Sequence, residues 1–229
     1  AIFALKTDGI DSETGRIRVK AKNGKSMFLE DLYKVAIDEW GIGIYTPQVS
    51  TLEEREFYSY IGTSDAPYTG GFMNTFNYKS WELNLNFSYN FGAYVKTTPS
   101  YSLTKFDASR NTNRDILDRW TPENKNASHP RLTWDDPNRN TRAESDRYLE
   151  NGSYLRLRSV QLGYTFPQTW FKGAIQHARV YINAENLFTI TSYSGYSPDV
   201  NADNANYRGF DNFIYPTNRT FMLGLNVTF

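Results

Sequence analysis

From Trp81 to Phe91 the chain alternates without a fault, with Trp81, Leu83, Leu85, Phe87, Tyr89 and Phe91 at odd positions and Glu82, Asn84, Asn86, Ser88 and Asn90 between them. At the chain's own 39% hydrophobic frequency such a run arises by chance in about 3 of 10,000 placements, so period two predicts a strand with one greasy and one polar face. Ten residue steps extend roughly 33 Å, and a tilt of about 40° lowers that to roughly 25 Å, the height of the apolar band of an outer-membrane barrel. The last segment repeats the design, with Phe221, Leu223, Leu225, Val227 and Phe229 on one face and Thr220, Gly224, Asn226 and Thr228 on the other; Met222 is the exception. Phe72, Phe76 and Tyr78 precede the Trp81 strand across a tight turn near Lys79-Ser80, which predicts a hairpin.

Two more strands are predicted over Tyr154–Phe166, closed by Pro167, and over Ala178–Ile190, where Asn186 falls on the greasy side and calls for a bulge or an early exit. Ile2–Thr7 would be a sixth strand, and Leu32, Val35 and Ala36 suggest a short helix near Leu29–Glu39. The long connections (8–68, 107–153, 191–218) alternate with short ones near Ser80 and at 168–176. Long loops at one end and short turns at the other are the arrangement of an outer-membrane barrel, with the long loops outside the cell if the C-terminus is periplasmic. The expected fold is therefore all-β, a segment of about six strands of an antiparallel transmembrane β-barrel with long extracellular loops. Six strands with one lipid face leave two open edges that a membrane cannot satisfy, so the rest of the barrel is expected from another chain segment.

Composition fits this picture and removes others. Aromatics reach 16% while mean hydropathy is -0.62, as expected when half of each strand meets water and half meets something greasy. Lys plus Arg and Asp plus Glu balance at 25 each, giving no global field to attract nucleic acid. There is no Cys, and His129 and His177 stand far apart, so no metal site is expected. Asp199, Asn201 and Asp203 have calcium-loop spacing, but Asn204 and Phe210 occupy the turn-glycine and bidentate-glutamate positions. Paired acids (Glu53-Glu54, Asp135-Asp136) have no partners that would make them catalytic, and neither an enzyme nor a cofactor is expected. The chain opens at Ala1 with neither a start Met nor a signal-like segment, and reads as part of a longer product.

Several motifs carry a family resemblance. The stretches Ile61-Gly62-Thr63-Ser64-Asp65-Ala66-Pro67-Tyr68-Thr69-Gly70-Gly71-Phe72, Ser145-Asp146-Arg147-Tyr148-Leu149-Glu150-Asn151-Gly152-Ser153-Tyr154-Leu155-Arg156-Leu157-Arg158, Ala184-Glu185-Asn186-Leu187-Phe188-Thr189, Gly195–Asn201 and Pro216–Phe221 occur in the order of the C-terminal barrel region of the SusC/RagA family. The likeness runs from about Ile2 to Phe229 and is thinnest over 8–57 and 107–140. It implies that residues 1–229 are the C-terminal part of the barrel domain of a TonB-dependent transporter in a Gram-negative, Bacteroidetes-type outer membrane. That barrel would have 22 strands around an N-terminal plug. Its implied partners are the N-terminal remainder of the transporter, a SusD-like surface lipoprotein, the TonB complex acting through that remainder, membrane lipid, and an imported oligosaccharide or peptide. Gly224, Val227 and Phe229 resemble the terminal signal read by the barrel-assembly machinery.

In this frame Trp81, Leu83, Leu85, Phe87, Phe221, Leu223 and Leu225 face lipid, while Glu82, Asn84, Asn86, Ser88 and Asn90 face the lumen. Arg156 and Arg158 share the phase of Val160, which predicts contact with outer-leaflet phosphates unless a bulge turns Leu155 and Leu157 outward. The loop aromatics Trp40, Trp120, Trp134, Tyr193, Tyr196 and Tyr207 are candidates to stack on a ligand or the lipoprotein lid, or else to fold the loops onto one another. The competing fold is a secreted β-sandwich that binds carbohydrate, which would bury the greasy faces against a second sheet.

Overall fold

The computed structural model describes residues 1–33, 35–37, 43–45, 55–105, 111–133, 144–200 and 209–229. In chain order it holds β1 (Ile2–Leu5), β2 (Thr7–Ile10), β3 (Ile17–Lys20), β4 (Ser26–Phe28), β5 (Val35–Ile37), β6 (Gly43–Tyr45) and β7 (Tyr58–Gly62). These are followed by β8 (Tyr68–Tyr78), β9 (Trp81–Phe91), β10 (Tyr94–Thr97), the short helix α1 (Thr98–Thr104), β11 (Leu149–Asn151), β12 (Tyr154–Thr165), β13 (His177–Thr191), β14 (Phe210–Asp211) and β15 (Thr220–Thr228). Two compact units divide the chain: Ala1–Ser64, Lys96–Glu150 and Phe210–Phe213 in one, Asp65–Val95, Asn151–Gly209 and Ile214–Phe229 in the other.

The second unit is built on a five-stranded antiparallel sheet in the order β15-β13-β12-β9-β8. Its register puts the apolar positions of all five strands in rows: Phe76, Leu83, Leu162, Ile182 and Leu223, then Tyr78, Trp81, Tyr164, Val180 and Leu225. The opposite face carries the rows Asn77, Glu82, Gly163, Tyr181 and Gly224, and Thr75, Asn84, Gln161, Asn183 and Met222. Asn74 on the aromatic face and Met73 and Met222 on the polar one depart from this segregation. The sequence-predicted lipid-facing and lumen-facing sets thus fall on opposite faces as two coherent groups. The hairpin turn sits at Lys79-Ser80, where Lys79 takes φ 53°, and the β12–β13 connection turns at the same end of the sheet.

A bulge breaks the β12–β13 register between Leu157 and Ser159, with Asn186 at φ 54°. The misfit at Asn186 is thus resolved as a bulge, and it has a second consequence. Leu155 and Leu157 pair with Tyr89 and Phe87, whereas Arg156 pairs with Ser88. Both arginines are therefore on the polar face, and their expected contact with outer-leaflet phosphate is wrong: the irregularity at Arg158 moves every residue before it by one step, which in a strand exchanges the faces.

The first unit corrects three expectations. Ile2–Thr7 is not one strand but parts of two, with β1 paired to β7 and β2 to β3. The helix read near Leu29–Glu39 is a 3-10 turn over Leu29–Tyr33 followed by β5, and residues 38–39 lie outside the described residues. The connection read as a loop contains a β2-β3-β4 meander over its own core of Leu5, Ile17, Val19, Ala21, Leu29, Leu32 and Phe57. Above it Glu30, almost fully buried, accepts from Arg16 Nε (2.7 Å) and Arg131 Nη2 (3.1 Å), while the Arg16 guanidinium lies 4.0 Å above the Phe28 ring. Burying that carboxylate is tolerable because both guanidinium groups reach it.

His129 in this unit takes a hydrogen bond on Nδ1 from Arg147 Nη2 (3.0 Å). Burial first, and the Arg147 charge second, hold its pKa below the usual histidine value. A histidine kept neutral by the fold contributes stability above its unfolded pKa of about 6.5 and loses it as pH falls below that value, since protonation removes the acceptor and sets two cations together. Amide protection around Ser128–Arg131, after allowance for the intrinsic slowing of exchange at lower pH, is therefore expected to fall more between pH 7.5 and 5.5 than protection in β3, and His129→Gln to flatten that difference. Identical pH responses with and without the histidine would reject this.

Candidate functional site: the polar face and its anchored loop

On the polar face of the sheet, side chains bond across strands. Thr75 Oγ1 and Asn84 Oδ1 lie 2.6 Å apart, Asn84 Nδ2 donates to Glu82 Oε1 (2.8 Å), and Arg179 Nη2 reaches the same carboxylate at 2.6 Å. Arg179 and Glu82 belong to strands that are not neighbours. Between them is β12, and Gly163 is the residue passed over: a Cβ there would come within 2.8 Å of the Arg179 guanidinium. The small residue is what lets one ion pair tie three strands together.

The other end of the same face, towards the long connections, is organised by Arg156. It is almost fully buried, with Nε on Thr189 Oγ1 (3.0 Å), Nη1 on Asp199 Oδ2 (3.2 Å), Nη2 on Ser197 Oγ (3.0 Å), and its guanidinium 5.1 Å from the Tyr154 ring centre. Two strands and the loop after β13 thus meet on one cation. Tyr193, Val200 and Val95, with Ile214 against them, make a small apolar cluster beneath that loop. Held from both sides in this way, the loop leaves Tyr196 84% exposed. Asp199 is engaged by Arg156, which argues against calcium; Asn201 and Asp203 lie outside the described residues. No group of three or more His, Cys, Asp or Glu suited to a metal occurs among the described residues.

The structure sorts the loop aromatics. Trp120 packs over Gly15, where a Cβ would approach its ring to 2.5 Å, and its Nε1 donates to Ser12 O (2.9 Å). Tyr193 is buried in the cluster just described. Both hold loops in shape, whereas Tyr196 is offered to solvent; Trp40, Trp134 and Tyr207 lie outside the described residues. Sequence reading missed Arg156 as the loop's anchor and Arg158 as a polar-face group. The signal available was physical: two guanidinium groups in a row on a hydrocarbon face cost more than one bulge.

Among the described residues no second layer covers the aromatic face. Phe221 and Leu223 are 69% and 76% exposed, and Phe76, Tyr78, Trp81 and Ile182 are exposed as well. At the short-turn end Trp81 packs on Tyr164 (ring centres 4.8 Å), Tyr164 on Phe166 (5.1 Å), and Phe166 on Trp170 and Phe171 (5.8 and 6.2 Å). A band of rings along one rim of a greasy face is the girdle of a membrane barrel.

Comparison with known proteins agrees. The chain is 32% identical over 190 residues to TonB-dependent receptor P3 of Formosa agariphila, covering 80% of this chain and 18% of the receptor. It is 37% identical over 89 residues to TonB-dependent receptor SusC of Bacteroides thetaiotaomicron, covering 37% of this chain and 8% of that one. The solved RagAB peptide transporter superposes at a TM-score of 0.74, with 25% identity over 99% of this chain and 22% of that one. The chain belongs to the SusC/RagA family of TonB-dependent receptors. It is a segment of their transmembrane barrel, spanning about a fifth of the length of the relatives it matches. No family model matches the chain.

Proposed function

We propose that residues 1–229 are the C-terminal part of the barrel domain of an outer-membrane TonB-dependent transporter of a Gram-negative cell. The transporter imports an oligosaccharide or peptide, works with a SusD-like surface lipoprotein, and is coupled to TonB through segments outside this chain. The observation that carries this reading is the exposed, row-registered aromatic face opposite a polar face whose side chains bond to one another. In water so large an apolar surface would be covered; against hydrocarbon it needs no cover, and its girdle lies where rings with polar handles are favoured. Trp81, Leu83, Leu85, Phe87, Phe221, Leu223 and Leu225 then meet lipid, and Glu82, Asn84, Asn86, Ser88 and Asn90 line the lumen. Of the loop aromatics singled out in the sequence, Tyr196 is the ligand or lid contact of this reading, supported by its exposure. Gly224, Val227 and Phe229 serve as the assembly signal.

Single-tryptophan variants of the intact transporter, reconstituted with brominated phospholipid, test the assignment. Fluorescence from Trp81 and from Trp170 is expected to be strongly quenched and that from Trp120 spared. A Trp81 quenched no more than Trp120 would favour a buried face and return the sandwich to consideration.

A further inference from the structure

The bulge on β12 delivers one group that the fold does not consume. Arg156 is saturated by Thr189, Asp199 and Ser197, and Arg179 is neutralised by Glu82. Arg158, at the irregularity itself, is exposed on the polar side, where its Nε donates to Ser88 Oγ (3.1 Å). No carboxylate lies within ion-pair distance of it among the described residues. That hydrogen bond occupies Nε and leaves both Nη groups without a hydrogen-bond partner among the described residues, and a guanidinium with free donors can take a carboxylate in two parallel bonds. Bulges recur where a chain re-aims a side chain for function, and this one turns a position that regular alternation would give to lipid into a cation on the inner wall.

The geometry points to Arg158 as a carboxylate-binding residue of the transport lumen, taking either an acidic or C-terminal carboxylate of a peptide or the carboxylate of a uronic-acid sugar. This rests on the polar face being the lumen. Glu185, opposite Ser159 on the same face with Oε1 held by Asn183 Nδ2 (3.3 Å), sets the sign of a second effect: its charge opposes an incoming anion, so removing it strengthens binding through Arg158.

The test uses the full-length transporter with its lipoprotein partner in detergent, and calorimetric affinities for two probe pairs: a Glu-containing hexapeptide against its Gln-containing, C-terminally amidated counterpart, and trigalacturonate against maltotriose. For whichever acidic probe binds, Arg158→Gln is expected to weaken affinity about 10- to 100-fold, the range of a lost charge-assisted pair, and to leave the neutral counterpart within about twofold. Arg158→Lys should recover part of the loss and Glu185→Gln should tighten the acidic probe, and the pair that responds names the source of the carboxylate. Equal weakening of acidic and neutral probes, no preference for the acidic member in the unaltered protein, or binding of neither pair would overturn the inference. In each case the barrel reading stands if Trp81 is still quenched by brominated lipid, and falls separately if it is not.

Discussion

Arg156→Met in the intact transporter is expected to free the 193–200 loop and to cost about 3 kcal/mol, the lower end of the range for breaking a buried ion pair. The lower end applies because the Asp199 side chain keeps 20% of its surface in water and can be partly resolvated, whereas that of Arg156 keeps only 5%. What is lost goes beyond a Coulomb term. Thr189 Oγ1 and Ser197 Oγ lose a charged donor, and the loop loses the only cation that joins it to both β12 and β13 among the described residues. Amide exchange from Tyr193 to Val200 should rise towards that of an unanchored loop while β9 stays protected, and thermal stability should fall. A second variant, Arg156→Met with Asp199→Asn, should recover part of the stability, since the charge that had faced the guanidinium is then removed with it. Unchanged loop protection in the single variant would mean that Val95, Tyr193 and Val200 suffice to hold it.

Gly224→Val should be the more damaging change for assembly. A Cβ at Gly224 would clash with the far end of the Tyr181 ring, directly opposite on β13, so a branched side chain there must displace that ring from its place across the final strand. The overpacking penalty is about 1–3 kcal/mol for a well-packed contact, and a strand that cannot pair in a membrane leaves its backbone groups unsatisfied as well. The amount of folded, heat-modifiable transporter in the outer membrane should drop severely. Gly224→Val combined with Tyr181→Ala removes the clash but not the altered terminal pattern. Recovery in the double variant would assign the defect to ring packing; a persistent defect would assign it to recognition of the terminal segment by the assembly machinery.

The strands were legible where they were long. Trp81–Phe91 and Thr220–Thr228 needed only period two, and Lys79-Ser80 is short enough that no structure but a hairpin turn could join its flanks. The fold of 8–57 was not legible, because β2, β3 and β4 are three or four residues each, too short for any period to show. Their core is assembled from residues as distant as Leu5 and Phe57. Asn186 announced one side of the bulge because it was polar where the pattern wanted apolar. The β12 side showed only as an alternative, a bulge turning Leu155 and Leu157 outward: Leu155-Arg156-Leu157-Arg158 alternates faultlessly, and only the join to Val160 carries the slip. The fates of Trp120 and Tyr193 depended on Gly15 and on Val95 and Val200, contacts that no local window contains.

The tie from Arg179 to Glu82 across Gly163 works as a checksum on how the wall is put together. Only when three strands have arrived, with none displaced by a single step, do cation, gap and carboxylate line up; a slipped β12 would place Leu162 or Tyr164 in the gap and strand both charges. A register error is thereby penalised at the strand where it occurs, and β9, β12 and β13 resist shear as one plate rather than as separable ribbons.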